Sequence, residues 1–198
     1  MTKKTFLLLV DVQNDFCPGG ALAVPEGDRI IPPLNALIRR CREKGIPIIA
    51  TRDWHPPDHC SFKKNGGPWP EHCVQGTPGA AFHPGLTLDP SHDTIISKAV
   101  QRERDVYSGF ENTGLREFLK KEAAQVLFVG GLATDYCVKA TVLDALKEGF
   151  QVFVVEDGIR GVEVQPGDTQ RALEAMQKAG AVFISSEEEA RFVADPVK

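Results

Sequence analysis

Apolar residues recur along the chain in two alternating rhythms. Six short runs are apolar on consecutive positions: "TFLLLVDV" (5–12), "IPIIATRD" (46–53), "TIISK" (94–98), "QVLFVGG" (125–131), "QVFVVED" (151–157) and "AVFIS" (181–185). They lack the strict alternation of a strand with one wet face and suit strands covered on both faces, as in a parallel sheet. Segments with apolar residues at helical spacing lie among them: "DRIIPPLNALIRRCREKG" (28–45), "TGLREFLKKEA" (113–123), "ATDYCVKATVLDALKEG" (133–149), "GDTQRALEAMQKAG" (167–180) and a short "EEEARFV" (187–193). Gly45 and Gly149 are helix stop signals, and Thr134 or Asp135 is the expected cap of the third helix. Repeated strand–helix alternation predicts an α/β fold built on a mostly parallel sheet.

Residues 54–92 break this rhythm. They are rich in Pro and Gly, show little periodicity, and hold all five histidines: His55, His59, His72, His83 and His92. A loop this long inside a compact domain is uncommon and usually functional.

Composition narrows the classes. The 198 residues, with 42% hydrophobic and 25% charged, suit one soluble domain spanning 1–198, large enough to bury a core without disulfides or structural metals. A net charge of −4 with no basic run argues against nucleic acid and anionic membrane surfaces as partners. No apolar run approaches a membrane span. The N-terminal "MTKKTFLLLVDV" is too short in its apolar part, and too soon acidic, for a signal peptide. Five cysteines at irregular spacing, without an export signal, point to reduced thiols and a cytoplasmic location.

The ends of the predicted strands carry the chemistry. Asp11 closes the first, Asp53 and His55 the second and Lys98 the third, while Cys137 follows the fourth at the start of a helix. Open α/β sheets form their sites at these carboxyl ends. Taken alone, Cys137 could be a small buried hydrophobe. In the first helical turn, with Lys98 to stabilise a thiolate and Asp11 to take the proton, it has the form of an activated nucleophile, and the expected effect of the helix start is a lowered thiol pKa. Asp11 and Lys98 could equally be a buried structural ion pair. Asp53 and His55, two apart at a strand end, can face one ion, with His72 or His59 completing the set; imidazole plus carboxylate suits Zn, Fe or Mn. Satisfied loop histidines are the plainer alternative. Cys60 and Cys73 read as structural, and Cys17 as a small residue lining the site.

Six blocks, "LLLVDVQNDFCPGGALAV", "TRDWHPPDHCSF", "WPEHCVQGTPGA", "ISKA", "YSGFEN" and "GGLATDYCVKAT", together resemble the nicotinamidases, also called pyrazinamidases, of the isochorismatase-like cysteine hydrolases. The resemblance spans nearly the whole chain and keeps the family order. It implies a three-layer α/β/α, Rossmann-like fold with about six strands and a long metal-binding loop at 54–92. It implies a triad of Asp11, Lys98 and Cys137 and a divalent metal, zinc first and Fe or Mn as alternatives, on Asp53, His55 and His72, with His59 where some members offer a further ligand. It implies a cis bond at Leu132–Ala133, an oxyanion hole from the N–H groups of Ala133 and Cys137, and ring-walling roles for Phe16, Trp69 and Tyr107. The implied reaction is hydrolysis of nicotinamide to nicotinic acid and ammonia through a cysteine thioester, in NAD salvage, with pyrazinamide as a second substrate. No macromolecular partner follows, and a homo-oligomer is compatible. An isochorismatase would need neither Cys137 nor the metal ligands, an N-carbamoyl amine amidohydrolase has no use for a ring-orienting metal, and a non-enzymatic module would be expected to have lost part of the triad.

Overall fold

The computed structural model describes residues 3–188. Its centre is a six-stranded, wholly parallel sheet in the order β3-β2-β1-β4-β5-β6. The strands are β1 (Thr5–Val10), β2 (Ile48–Asp53), β3 (Thr94–Lys98), β4 (Val126–Leu132), β5 (Gln151–Arg160) and β6 (Val182–Ile184). All six predicted runs become strands. The four full helices among the described residues are α1 (Ile31–Glu43), α2 (Leu115–Lys121), α3 (Lys139–Lys147) and α4 (Asp168–Lys178). The last predicted helix, 187–193, lies almost wholly outside the described residues.

Two separate clusters of buried side chains explain the unbroken apolar runs. Leu7 and Leu9 of β1 pack on one face with Leu34, Leu37, Ile38 and Cys41 of α1. Phe6, Leu8 and Val10 pack on the other with Leu115 and Leu119 of α2, Val142 and Ala145 of α3 and Met176 of α4. The sheet is thus covered on both sides and the fold has three layers, as expected. Each such aliphatic side chain gains about 2 kcal/mol from leaving water.

Three details differ from the sequence expectation. The first helix begins at Ile31, with Pro32 in its first turn, while Gly27–Ile30 ahead of it tighten into a 3-10 turn; proline fits the first helical turn, where its missing donor costs nothing. The segment after β4 opens not as an α-helix but as a π turn, Thr134–Val138, in which the Ala133 carbonyl accepts the Val138 N–H at 3.1 Å, before α3 continues it. Neither Thr134 nor Asp135 caps that turn. The Asp135 carboxylate instead accepts the N–H groups of Val162 and Glu163, at 2.9 Å each, and fastens the chain beyond β5 to the start of the turn.

The long loop is ordered by backbone pairing rather than by regular elements. His55 donates its N–H to the Cys73 carbonyl at 3.0 Å and accepts from Gln75 at 2.8 Å, and Trp69 donates to Ser61 at 3.0 Å. These backbone groups are therefore met, and the loop can lie across the carboxyl edge of β1 and β2.

The strand order reverses direction between β1 and β4, and there the backbones come close. Gly131 has φ +129°, and a Cβ at this position would overlap the Val10 backbone. Gly131→Ala is expected to cost about 3 kcal/mol or more in unfolding free energy, through left-handed strain and overlap together. Denaturant unfolding measures this; a loss below about 1 kcal/mol would show that β4 can shift freely against β1.

Candidate active site

The first four strands deliver their terminal residues to one place. Asp11 leaves β1 with φ +48°, its N–H on the Thr51 carbonyl at 3.2 Å and its Oδ1 accepting the Thr51 hydroxyl at 2.7 Å. Lys98 ends β3. Its ammonium lies 3.0 Å from Asp11 Oδ2, 2.5 Å from Asp53 Oδ1 and 3.3 Å from Cys137 Sγ, and it also donates to the Val106 carbonyl at 3.3 Å. Asp11, Lys98, Asp53 and Cys137 are all buried. The Leu132–Ala133 bond before the π turn is cis, as the resemblance implied.

One ammonium facing two carboxylates and a thiol sorts their proton affinities. Burial would depress Lys98, but Asp11 and Asp53 raise it well above its usual value, so it stays charged. Burial would raise Asp53, but Lys98, His55 and His72 hold it well below the carboxylate range. Asp11 is raised by burial, with Lys98 opposing and the Asp53 charge adding to the rise. Two neighbouring carboxyls pushed in opposite directions divide into a permanent anion and a group able to carry a proton. Burial also pushes the Cys137 thiol well up, with Lys98 opposing. This corrects the expectation of a lowered thiol pKa: desolvation outweighs the helix start, and the resting sulfur keeps its proton.

Asp53, His55 and His72 form a second group whose ligand atoms all lie within 4.8 Å of one another. His55 is buried with neither ring nitrogen hydrogen-bonded, and its Nε2 is 3.7 Å from Asp53 Oδ2. The His72 Nδ1 lies 2.8 Å from the Pro70 carbonyl, so that nitrogen carries the proton and Nε2 presents a lone pair. Burial holds His72 below its usual value, which keeps the imidazole neutral. Buried nitrogens without partners beside an anionic carboxylate are the donor set of a divalent ion, and the residues fit one. Asp11, Asp53 and Cys137 also cluster within 4.8 Å, but the Lys98 ammonium already occupies their centre.

His59 stands apart from this set. Its ring lies tilted against His55 with centroids 4.3 Å apart, but Nδ1 is 2.7 Å from the Ser61 hydroxyl and Nε2 3.0 Å from the Arg104 carbonyl. Both nitrogens are engaged in this arrangement, and the ring braces His55 and the 104–107 segment.

Above these groups is an open cavity spanning about 400 Å³, solvent at its mouth included, with Cys137, Ala133, Asp53, His55 and His72 at its floor. Phe16, Trp69 and Tyr107, to which the resemblance gives ring-walling roles, line it, and so do Leu22, Asp105, Tyr136 and Val162, which sequence reasoning did not assign. The Trp69 Nε1–H donates to the Tyr107 hydroxyl at 3.0 Å, and Tyr136 packs edge-on to Trp69 at 5.0 Å. Tyr136 was within reach of the sequence, since it adjoins Cys137; Val162 carries no local signal and is placed by Asp135. Gln13, also unassigned, is fully buried and clamps the Asp53 backbone. Its Nε2 donates to the Asp53 carbonyl and its Oε1 accepts the Asp53 N–H, both at 2.8 Å. Cys17 belongs to the core beneath α1 and does not line the cavity.

Residues 5–188 match the family described as isochorismatase domain. The chain is 44% identical to the nicotinamidase of Escherichia coli (strain K12), with 89% of this chain and 92% of the relative covered. Among solved structures, the pyrazinamidase of Pyrococcus horikoshii in complex with zinc superposes with a TM-score of 0.86 at 50% identity, covering 92% of this chain and 99% of that one. Pnc1 of L. infantum in complex with nicotinate superposes with a TM-score of 0.84 at 36% identity, covering 94% and 95%.

The shared ammonium makes a stability prediction. The folded pKa of Asp53 is below its unfolded one, so its contribution is present above about pH 4 and is lost as acid titrates it in the folded state. The folded pKa of Lys98 is above its unfolded one, so its contribution is present below about pH 10 and is lost only as pH rises through the folded value. Lys98→Met removes both and leaves two buried carboxyls facing each other. Unfolding free energy in chelator-treated protein is expected to fall by about 3–5 kcal/mol at pH 7, with the gap from the parent narrowing below about pH 4 as the carboxyls protonate. Urea titrations at pH 7 and pH 3 measure it; an equal gap at both would mean that the lysine stabilises through its methylenes alone.

Proposed function

The chain belongs to the isochorismatase domain family, and we propose that Cys137, Lys98 and Asp11 carry out its reaction through a thioester on the cysteine. The chain is an amidohydrolase that converts nicotinamide and water to nicotinic acid and ammonia, a reaction that returns the ring to NAD synthesis. The observation that carries the assignment of the three residues is the single ammonium held 3.0 Å from Asp11 and 3.3 Å from Cys137 Sγ at the floor of a cavity with aromatic walls.

The steps follow from the proton affinities. Cys137 rests as a thiol, and as Sγ attacks the carboxamide carbon its proton passes to Asp11, whose raised pKa suits a base. Lys98 remains charged throughout and balances the negative charge as it moves between sulfur and carboxylate. The carbonyl oxygen becomes an oxyanion, assigned to the N–H groups of Ala133 and Cys137, where fixed donors contribute about 3 kcal/mol each in comparable sites. Asp11 then protonates the amide nitrogen, the C–N bond breaks, and ammonia leaves a thioester. Water enters, gives a proton to Asp11 and attacks the thioester carbon; the C–S bond breaks and the proton returns to Sγ. Phe16, Trp69, Tyr107 and Tyr136 confine a flat ring while this happens.

Asp53, His55 and His72 would hold the divalent ion, for which we propose zinc on the strength of two imidazoles and one carboxylate. When bound it supplies a Lewis-acid anchor for the ring nitrogen of the substrate. Pyrazinamide has a ring of the same shape with nitrogen at the same place, and we propose it as a second substrate.

Two outcomes test this. Cys137→Ala should lose at least about a thousandfold in ammonia release while keeping its fold and metal content, and Cys137→Ser should be nearly as inactive, because a hydroxyl is harder to ionise. Substantial turnover by the alanine variant, read by an ammonia assay, removes the nucleophile. His55→Ala and His72→Ala should each lose bound metal by elemental analysis. Both should also raise KM for nicotinamide by about tenfold or more while changing the poor turnover of benzamide, which lacks the ring nitrogen, far less. Equal efficiency on the two amides by the metal-loaded parent would rule out an anchored nitrogen.

A further inference from the structure

Asp105 has no part in the steps above, yet it is the one acid in the cavity wall that neither the triad nor the donor set uses. It is half-buried, and no ion pair involves it among the described residues. Its place is fixed from both sides. The Arg104 carbonyl is held by His59 Nε2 at 3.0 Å, the Val106 carbonyl by the Lys98 ammonium at 3.3 Å, and the Tyr107 hydroxyl by Trp69 Nε1 at 3.0 Å. Burial pushes the Tyr107 hydroxyl up, the Trp69 contact opposes this, and the Asp105 charge adds to the rise, so that charge bears on the ring-binding wall.

The cavity is lined by no lysine or arginine. Lys98, beside Cys137, is already shared by Asp11 and Asp53 at 3.0 and 2.5 Å, and a divalent ion on Asp53, His55 and His72 would add positive charge at the floor. Asp105 is a second carboxylate on the lining, outside any ion pair among the described residues and hydrogen-bonded to the Tyr107 hydroxyl. It has an effect on ligands: the substrate amide is neutral, whereas the product acid is an anion at neutral pH. Interaction between like charges in a partly desolvated site is strong enough to matter.

Resting on the amidase reading, we infer that Asp105 is a specificity-determining residue that disfavours anionic ligands. It speeds departure of the carboxylate product and excludes anionic substrates such as N-carbamoyl amino acids. The side chain works by its charge on a braced segment, so a neutral side chain of the same shape should lose the effect and a longer acid should retain it.

The experiment compares the metal-loaded parent, Asp105→Asn and Asp105→Glu in one buffer and one metal state. Nicotinate affinity is measured by product inhibition and KM with nicotinamide. Asp105→Asn is expected to bind nicotinate about tenfold more tightly while its nicotinamide KM moves by less than about threefold, and Asp105→Glu should keep the parent ratio. Asp105→Ser, a second neutral variant, should show the same tightening of nicotinate relative to nicotinamide, so the test does not rest on one substitution folding. Unchanged nicotinate affinity in the folded neutral variants, or parallel changes in both ligands, overturns the proposal. Ammonia release by the parent separates the two readings: a parent that hydrolyses nicotinamide while either of those outcomes holds overturns the charge filter alone, and one that releases no ammonia overturns both.

Discussion

A single buried ammonium organises the site. Lys98 has no access to water, and three anionic or potentially anionic groups from three other segments meet on it. An unpaired charge at that depth would cost several kcal/mol, so strand ends and π turn must converge for the fold to tolerate it. The same geometry that satisfies the lysine places a base and a sulfur within reach of one carbon atom. Asp53 adds a further link, because one of its oxygens faces Lys98 and the other faces His55. The proton-transfer centre and the metal-ligand group therefore share a carboxylate, and the Gln13 amide fixes that carboxylate's backbone.

The long loop is held to this centre through its rings. His55 lies among His59, His72 and Phe62, at centroid distances of 4.3, 4.8 and 5.5 Å. Those contacts bury imidazoles that loop histidines would otherwise expose. Ring packing and backbone pairing together give a segment whose only helical pieces are two 3-10 turns the rigidity to hold His55 and His72 against Asp53 of β2.

Much of this was legible in the chain. Consecutive apolar positions in "LLLV" made sense only for a strand covered twice, and the two core clusters divide that run residue by residue. Asp11, Asp53 and Lys98 could be found because charged residues at the ends of apolar strands need a reason. The π turn could not, since its residues fit an α-helix equally well and the wider hydrogen bond to Ala133 is settled by packing. The thiol's proton was misjudged for a related reason: helix position is written in the sequence, whereas the depth of burial that outweighs it is a property of the assembled molecule. Val162 and Asp105 were invisible because they reach the cavity only through contacts made by Asp135, His59 and Lys98.

Floor and walls of the cavity have different origins. The reacting part of the floor is made by strand ends and the turn after β4, where any shift would disturb the sheet itself, and the loop histidines His55 and His72 complete it. The walls hang from separate segments around Phe16, Trp69, Tyr107 and Val162, none of which is inside a strand. Such an arrangement separates what can drift from what cannot. Wall residues are free to diverge over evolutionary time and admit differently shaped amides, while the reacting atoms below stay fixed. A lineage built on this scaffold can therefore diversify by exchanging loops and need not reinvent its bond-breaking step.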